Sequence, residues 1–347
     1  MKPVLGIIGG GQLGSMLSTA AKKINIETII ISDDKDAPAK KFCDKFIFSK
    51  FDNDKKINEF TQQVDLVTFE FENIPFDVLK KINQKKPVIP EPNINKIVQN
   101  RLKEKNFINQ IGIKTTNYSL IEKKEDLLNN ENLLPGILKT LTLGYDGKGQ
   151  YKINSIDGLS NLNINFNNKY ILEKKINLKK EISIILTRFK NNTFQVYEPI
   201  ENVHKDQILK NSKIPADISK EMFEQSIFWA KKISEKLNFI GTLCVEYFID
   251  KNNILYVNEI APRVHNSGHL TINSYNISQF ENHIRAVCEL DQIELKKISN
   301  AEMINILGDE ITKYRSKKFS INEYFYDYRK EKIKEKRKMG HLTILKD

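Results

Sequence analysis

The strongest constraint on the fold lies at the start of the chain. An apolar run, Val4 to Ile8, leads into Gly9-Gly10-Gly11-Gln12-Leu13-Gly14; a helical segment, Met16 to Ala21, then returns the chain to a β-branched run, Thr28 to Ile31. Strand, tight glycine turn, helix and strand make a βαβ unit, whose strands pair in parallel and need cover on both faces. Phe46 to Phe48 and Leu66 to Phe71 supply further buried strands and Asp77 to Ile82 a helix, so the first ninety or so residues read as a doubly wound parallel sheet. The proline cluster Pro87, Pro90 and Pro92 ends that pattern, and residues 94 to 110 read as helical. From Ile137 to about residue 262 the chain changes to strands with glycine-rich and asparagine-rich connections, interrupted by one amphipathic helix, Ser219 to Leu237, and followed by another, Ser278 to Leu290. An α/β domain is therefore followed by an α+β one.

The length of 347 residues, with 40% hydrophobic and 29% charged, supports two or three folded domains. No apolar run approaches the roughly 18 residues of a membrane helix. Cys43, Cys244 and Cys288 are too few and too scattered for a disulfide framework or a CxxC pair, which fits a reducing, cytoplasmic setting. The N-terminus lacks a secretory cleavage site and reads as a strand entering a turn. Of the net charge of +11, residues 311 to 347 carry +7. A basic tail for nucleic acid is one reading. Against it stand Tyr324, Phe325, Tyr326, Tyr328 and the apolar ending His341 to Leu345, which suggest folded strands. Only seven of the 55 basic residues are arginine, so each points mildly to a place needing a planar, two-pronged donor.

Gly9, Gly11 and Gly14 match GxGxxG between a strand and a helix, with Asp33 where an acid would meet a ribose hydroxyl. A dinucleotide-binding oxidoreductase and a merely tight turn explain the loop equally well. A second glycine loop, Gly144-Tyr145-Asp146-Gly147-Lys148-Gly149-Gln150, follows the short strand Ile137 to Lys139. Its amides and lysines would suit phosphate as a lid, although Asp-Gly is also a common hairpin turn, and no GxxxxGK[ST] is present. Farther on, Cys244 to Asp250 and Ile254 to Ile260 form a hairpin with Asn252-Asn253 as a two-residue turn. That register pairs residues whose numbers total 505, so Glu246 faces Glu259. Two facing carboxylates destabilise a sheet unless a cation lies between them, and hard oxygen donors suit Mg²⁺. A register shifted by one residue, or a lysine beside each glutamate, is the alternative. Directly after the hairpin, Ala261 to His269 holds Arg263, His265, Asn266, Ser267 and His269, a polar density that favours a site. The glycine between the histidines argues against a helix there, so hydrogen-bonding and anion-binding roles are preferred to metal ligation.

Taken together, Gly9 to Gly14, Thr68 to Ile74, Gly144 to Gln150, Asn258 to His269 and Arg337 to His341 resemble, in order and over essentially the whole chain, the motifs of the N5-carboxyaminoimidazole ribonucleotide synthase family of ATP-grasp enzymes. The resemblance implies a Rossmann-like preATP-grasp domain (1–95), an ATP-grasp domain (96–290) and a small C-terminal β-rich domain (291–347). It implies that ATP, bicarbonate and 5-aminoimidazole ribonucleotide become N5-carboxyaminoimidazole ribonucleotide, ADP and phosphate, through carboxyphosphate, with Mg²⁺ and without biotin. Another ATP-grasp ligase with a different acceptor is the alternative. By resemblance, Arg101 and Lys139 contact ATP phosphates, the loop Gly144 to Gln150 closes over them, Glu173-Lys174-Lys175-Ile176 form the adenine hinge, Glu181 holds the ribose, and His204, Asn258 and Glu259 complete the nucleotide site. Glu246 and Glu259 are the implied metal ligands. The acceptor is expected between Gln12, Glu72 and Asn73 on one side and Arg263 to His269 on the other, with Lys330, Arg337 and Lys338 near its phosphate. Arg263 is the candidate for holding bicarbonate; Arg263, His265, Asn266 and Lys330 are the catalytic candidates, and Ser267 and His269 join the acceptor side. The family also implies a homodimer, no nucleic-acid or membrane partner, and a mutase that consumes the product. Three departures stand out: Thr140 to Gly144 in place of an arginine-rich, double-glycine approach to the lid, Asn100 for an aspartate, and Lys334-Glu335-Lys336 for an arginine-proline-glycine element.

Overall fold

The computed structural model describes residues 2–144, 149–158 and 164–347. The first sheet has four parallel strands in the order Lys45–Phe48, Thr28–Ser32, Leu5–Ile8, Leu66–Phe69. This is the doubly wound arrangement that the glycine turn requires. Its two faces are covered differently. One packs on helices Asp54–Thr61 and Phe76–Asn83 through Ile57, Phe60, Leu79 and Ile82. The other packs on Gln12–Lys23 and on a helix from far along the chain, Gln279–Val287, whose Phe280, Ile284 and Val287 share a core with Leu5, Ile7 and Ile30. Each of those three side chains contributes about 1.5–3 kcal/mol by leaving water.

The segment from 94 to 110 is two helices, Pro92–Val98 and Arg101–Gln110, not one. Asn100 breaks it: its side-chain oxygen accepts from the N–H groups of Leu102 and Lys103, an N-cap that does for the second helix what an aspartate would do. Ser219 and Ser278 cap helices Lys220–Lys236 and Gln279–Val287 in the same way.

Two further sheets follow. A small antiparallel sheet runs Tyr118–Ile121, Tyr170–Lys174, Gly136–Thr140, Gln150–Ile153; its first strand precedes the change to strands expected at Ile137. A nine-stranded sheet has Leu178–Arg188 and Gly241–Asp250 as its longest strands, with Leu255–Ala261 beyond them at one edge. The C-terminal strands Asn300–Leu307, Lys338–Lys346 and Glu323–Asp327 extend this large sheet through the pairing of 211–214 with 301–304. Most of the basic C-terminal segment is therefore folded sheet and its turns, as its aromatic residues indicate. Among the described residues, no helix is long and apolar enough to cross a membrane.

Candidate active site

The hairpin Gly241–Asp250 and Leu255–Ala261 sets the centre of the site. Glu246 pairs with Glu259, as expected, but by a different route. The turn is a three-residue loop, Lys251 to Asn253, closed by Asp250 N–H to the Ile254 carbonyl (3.1 Å), with Asn253 left-handed at φ 59°. Near the turn the partners therefore total 504, as in Ile249 with Leu255, and a β-bulge at Asn258 restores 505 from Glu246 onward. The helix Arg101–Gln110 holds that bulge: Lys105 Nζ donates to the Asn258 carbonyl (3.4 Å), and Ile260 N–H donates to Glu104 Oε1 (2.6 Å).

Burial, with the Glu259 charge facing it, pushes the Glu246 carboxyl up to about 7. Burial and the same neighbour push Glu104 to about 8. A buried carboxyl raised in part by the carboxylate facing it marks a place where a cation is favoured, and the donors are hard oxygens, so Glu246 and Glu259 fit Mg²⁺. Arg101 Nη1 lies 3.5 Å from Glu259 Oε2, and its Nη2 donates to the Gly144 carbonyl (3.1 Å). One arginine thus joins the start of the second glycine loop to the carboxylate pair. Tyr145, Asp146, Gly147 and Lys148 lie outside the described residues. On either side of them, Thr140 N–H donates to the Gly149 carbonyl (2.9 Å) and Lys139 pairs with Gln150, so the loop joins two antiparallel strands, the arrangement common to the hairpin and lid readings.

Lys139 and Glu173 are both buried, with Nζ to Oε2 at 2.9 Å; Lys105 approaches Oε1 at 3.5 Å. Burial would raise the Glu173 carboxyl, but Lys105 and Lys139 outweigh it and hold it at about 2. Glu173 thus faces the two lysines. Lys174 and Lys175 continue the chain beyond it, their N–H groups donating to the carbonyls of Asn117 (2.8 Å) and Pro135 (2.9 Å); Ile176 follows. Glu104 and Lys105 carry no mark of a site in the sequence, since their helix is polar and shows no apolar stripe. On the large sheet, His204 Nδ1 lies 2.7 Å from Glu181 Oε2, and this carboxylate overcomes burial to raise the imidazole.

At the far end of the hairpin, Arg263 Nε pairs with Glu72, whose carbonyl is held by Asn95 Nδ2 (3.2 Å) and Gln99 Nε2. Burial raises the Glu72 carboxyl, and Arg263 reverses this to a net lowering. His265 Nε2 lies 3.2 Å from Glu246 Oε1. The Ser267 N–H donates to His265 Nδ1 (3.3 Å), which leaves the ring proton on Nε2, facing the carboxylate. Burial and then Arg263 hold His265 neutral, well below its ordinary value. Residues 266–270 form a 3-10 turn despite Gly268. Asn266 is buried with no partner among the described residues for either side-chain polar atom, whereas His269 is fully buried among Phe280, Tyr328 and His341. Lys330 Nζ donates to Gln12 Oε1 (2.7 Å) and to the Lys338 carbonyl (2.7 Å), bringing the first domain and the C-terminal strands together. Arg337 Nη1 donates to the Lys332 carbonyl (2.9 Å) at the rim, in the turn that holds Lys334 to Lys336. Asn73 is half-buried after Glu72.

The first glycine loop is filled from within. Both oxygens of Glu70 accept from it, from Gly11 N–H (2.8 Å) and Gly14 N–H (3.2 Å), the donors a dinucleotide pyrophosphate would need. This removes the oxidoreductase reading of the motif.

The chain matches three family models in succession: a ribonucleotide synthetase preATP-grasp domain over residues 1–99, an ATP-grasp domain over 106–280, and a phosphoribosylaminoimidazole carboxylase C-terminal domain over 301–347. It is 38% identical to the N5-carboxyaminoimidazole ribonucleotide synthase of Brucella melitensis, over 100% of this chain and 98% of that one. Among solved structures, it resembles N5-carboxyaminoimidazole synthetase from Staphylococcus aureus complexed with ADP (TM-score 0.93, 35% identity, 99% of this chain and 93% of that). It also resembles the Aspergillus clavatus enzyme in complex with ADP and 5-aminoimidazole ribonucleotide (TM-score 0.91, 25% identity, 99% and 94%).

Proposed function

The chain belongs to the N5-carboxyaminoimidazole ribonucleotide synthase family, and from that premise we propose how its residues divide the reaction. The enzyme uses ATP to carboxylate 5-aminoimidazole ribonucleotide with bicarbonate in purine biosynthesis, releasing ADP and phosphate. The observation that carries the assignment of residues is the Glu246 and Glu259 pair, with Arg101 on its nucleotide side and His265 and the Arg263–Glu72 pair on its acceptor side.

On the nucleotide side, Lys139 and Arg101 hold the phosphates. Glu173 pairs with Lys139 and aims it, and Lys105 shares that carboxylate and braces the bulge at Asn258. Lys174, Lys175 and Ile176 receive the adenine, and Glu181 with His204 takes the ribose. Glu246 and Glu259 hold Mg²⁺, which when bound offsets charge on the transferred phosphoryl group. Bicarbonate is a poor nucleophile, so Arg263 orients it with a planar fork already fixed by Glu72. The resulting carboxyphosphate hydrolyses readily, and closure of the loop Gly144 to Gln150 keeps water out while the ribonucleotide amine attacks it or the CO₂ it releases. His265, neutral and with Nε2–H directed inward, donates a hydrogen bond without adding a charge. Lys330, Arg337 and Lys338 face the acceptor phosphate, and Gln12, Asn73, Asn266, Ser267 and His269 shape that end. The chain divides at 1–95, 96–290 and 291–347, acts as a homodimer as its family implies, and passes its product to the mutase of the same pathway. Three free cysteines support a cytoplasmic location.

The test is ADP release in labelled bicarbonate with and without the ribonucleotide. Release that needs both substrates, with label entering the product, is expected; release that ignores the ribonucleotide but responds to another acceptor would overturn the reading in favour of a different ATP-grasp ligase.

A further inference from the structure

The first glycine loop is an anion site that the protein fills with its own carboxylate. Glu70 leaves strand Leu66–Phe69, is 8% exposed, and accepts from Gly11 N–H (2.8 Å) and Gly14 N–H (3.2 Å) at the start of helix Gln12–Lys23. The glycines belong to that carboxylate: a Cβ at Gly11 would stand 2.7 Å from Glu70 Oε1, and one at Gly9, where φ is +104°, would stand 2.5 Å from Glu70 Cγ. Burial raises this carboxyl, while the two N–H groups and the charges of Arg263 and Lys330 act the other way. The next residue after Gly11 is Gln12, which receives Lys330 Nζ at 2.7 Å; two residues after Glu70 is Glu72, which fixes Arg263. A single buried carboxylate thus ties together the two segments that present Gln12 and Glu72.

We propose that Glu70 is a positioning residue for the acceptor: it takes the place a phosphate occupies in dinucleotide folds and locks the glycine loop, so that Gln12 and Glu72 stand where the ribonucleotide meets Lys330 and Arg263. This rests on the acceptor-side reading given above. Glu70 touches no substrate. Its loss releases the loop, weakens acceptor binding, and leaves the nucleotide side, on separate strands, as it was.

The experiment compares Glu70→Gln, Glu70→Ala and Gln12→Ala with the parent in steady-state kinetics for each substrate. Glu70→Gln keeps the shape but sets an amide N–H against a backbone N–H; a roughly ten- to hundredfold rise in the ribonucleotide KM is expected, with the KM for ATP unchanged. Glu70→Ala empties the site, and added formate, a carboxylate small enough to enter, is expected to restore the ribonucleotide KM saturably. Should Glu70→Ala fail to fold by circular dichroism, the KM split in Glu70→Gln decides alone. A ribonucleotide KM unchanged in Glu70→Gln, a uniform fall in kcat with neither KM moved, or a folded, impaired Glu70→Ala that ignores formate overturns the proposal. Gln12→Ala separates the two claims: an unchanged ribonucleotide KM in that variant refutes the acceptor-side reading itself.

Discussion

Replacing Glu173 by glutamine tests the electrostatics of the nucleotide side. Its carboxyl, ordinarily at 4.5, is held at about 2 by Lys105 and Lys139 against the cost of burial. At about 1.4 kcal/mol per pH unit, that difference of about 2.5 units is worth about 3 kcal/mol at neutral pH. A lowered carboxyl contributes fully above its unfolded value and loses its contribution as pH falls through its folded value, so the window runs from 4.5 down to about 2. Glu173→Gln also leaves two buried lysines facing an amide in place of a carboxylate, which points the same way and to about 3–5 kcal/mol. The assay is urea unfolding of both proteins, followed by circular dichroism at several pH values. The variant is expected to be about 3 kcal/mol less stable at pH 7, the gap narrowing to about 1.4 kcal/mol at pH 3 as the parent gains the proton the variant never needs. A gap below about 0.5 kcal/mol at pH 7, or one that stays constant to pH 3, would refute the reasoning.

Glu259→Gln removes a carboxylate from the facing pair and the partner of Arg101; turnover is expected to fall by about a hundredfold or more with the unfolding midpoint little changed, and full activity would refute the metal assignment. Arg263→Lys keeps the charge but not the fork, and bicarbonate-dependent ADP release is expected to drop by about a hundredfold with the ATP KM unchanged. His283 bonds Thr68 Oγ1 (2.8 Å) through Nε2 and accepts from Thr242 N–H (3.0 Å) through Nδ1, and burial lowers it to about 3. Between 6.5 and about 3 the unfolded chain takes up a proton there that the folded chain refuses, so acid costs stability across that window. His283→Ala is expected to lose about 1–3 kcal/mol at pH 7 and to show a flatter decline below pH 6.5 in urea unfolding; a pH slope equal to the parent's would contradict the assignment.

Much of the architecture could be read from the residues because local rules and tertiary structure agree there: the glycine turn, the serine caps and the alternation of apolar strands each point one way. The hairpin is more instructive. A turn misread by one residue and an unforeseen bulge at Asn258 offset one another, so Glu246 met Glu259 through two errors of opposite sign. Glu70 offered a signal, an acid within the apolar run Leu66 to Phe71, that gained meaning only with the amides of Gly11 and Gly14 beside it. Glu104 and Lys105 offered none. What buries them is a strand edge more than 150 positions away, and no periodicity within ten helical residues can report that. For His269 the limit is the same: polar density marks a site, while the 3-10 turn and the packing of Phe280, Tyr328 and His341 decide how deep the ring lies.

The helix Gln279–Val287 covers a sheet whose last strand ends at Phe69. During synthesis, the face of Leu5, Ile7 and Ile30 that it shares with helix Gln12–Lys23 therefore waits only partly covered while the whole of the intervening chain is made, on the order of ten seconds or more at about 5–20 residues per second. A nascent chain halted before residue 279 carries a parallel sheet with one side covered only by helix Gln12–Lys23, and the apolar surface left there is the kind that chaperones hold and that aggregates form on. The first domain in sequence is thus among the last to be sealed, and its commitment to the native state depends on the segment that also lies beside the acceptor site.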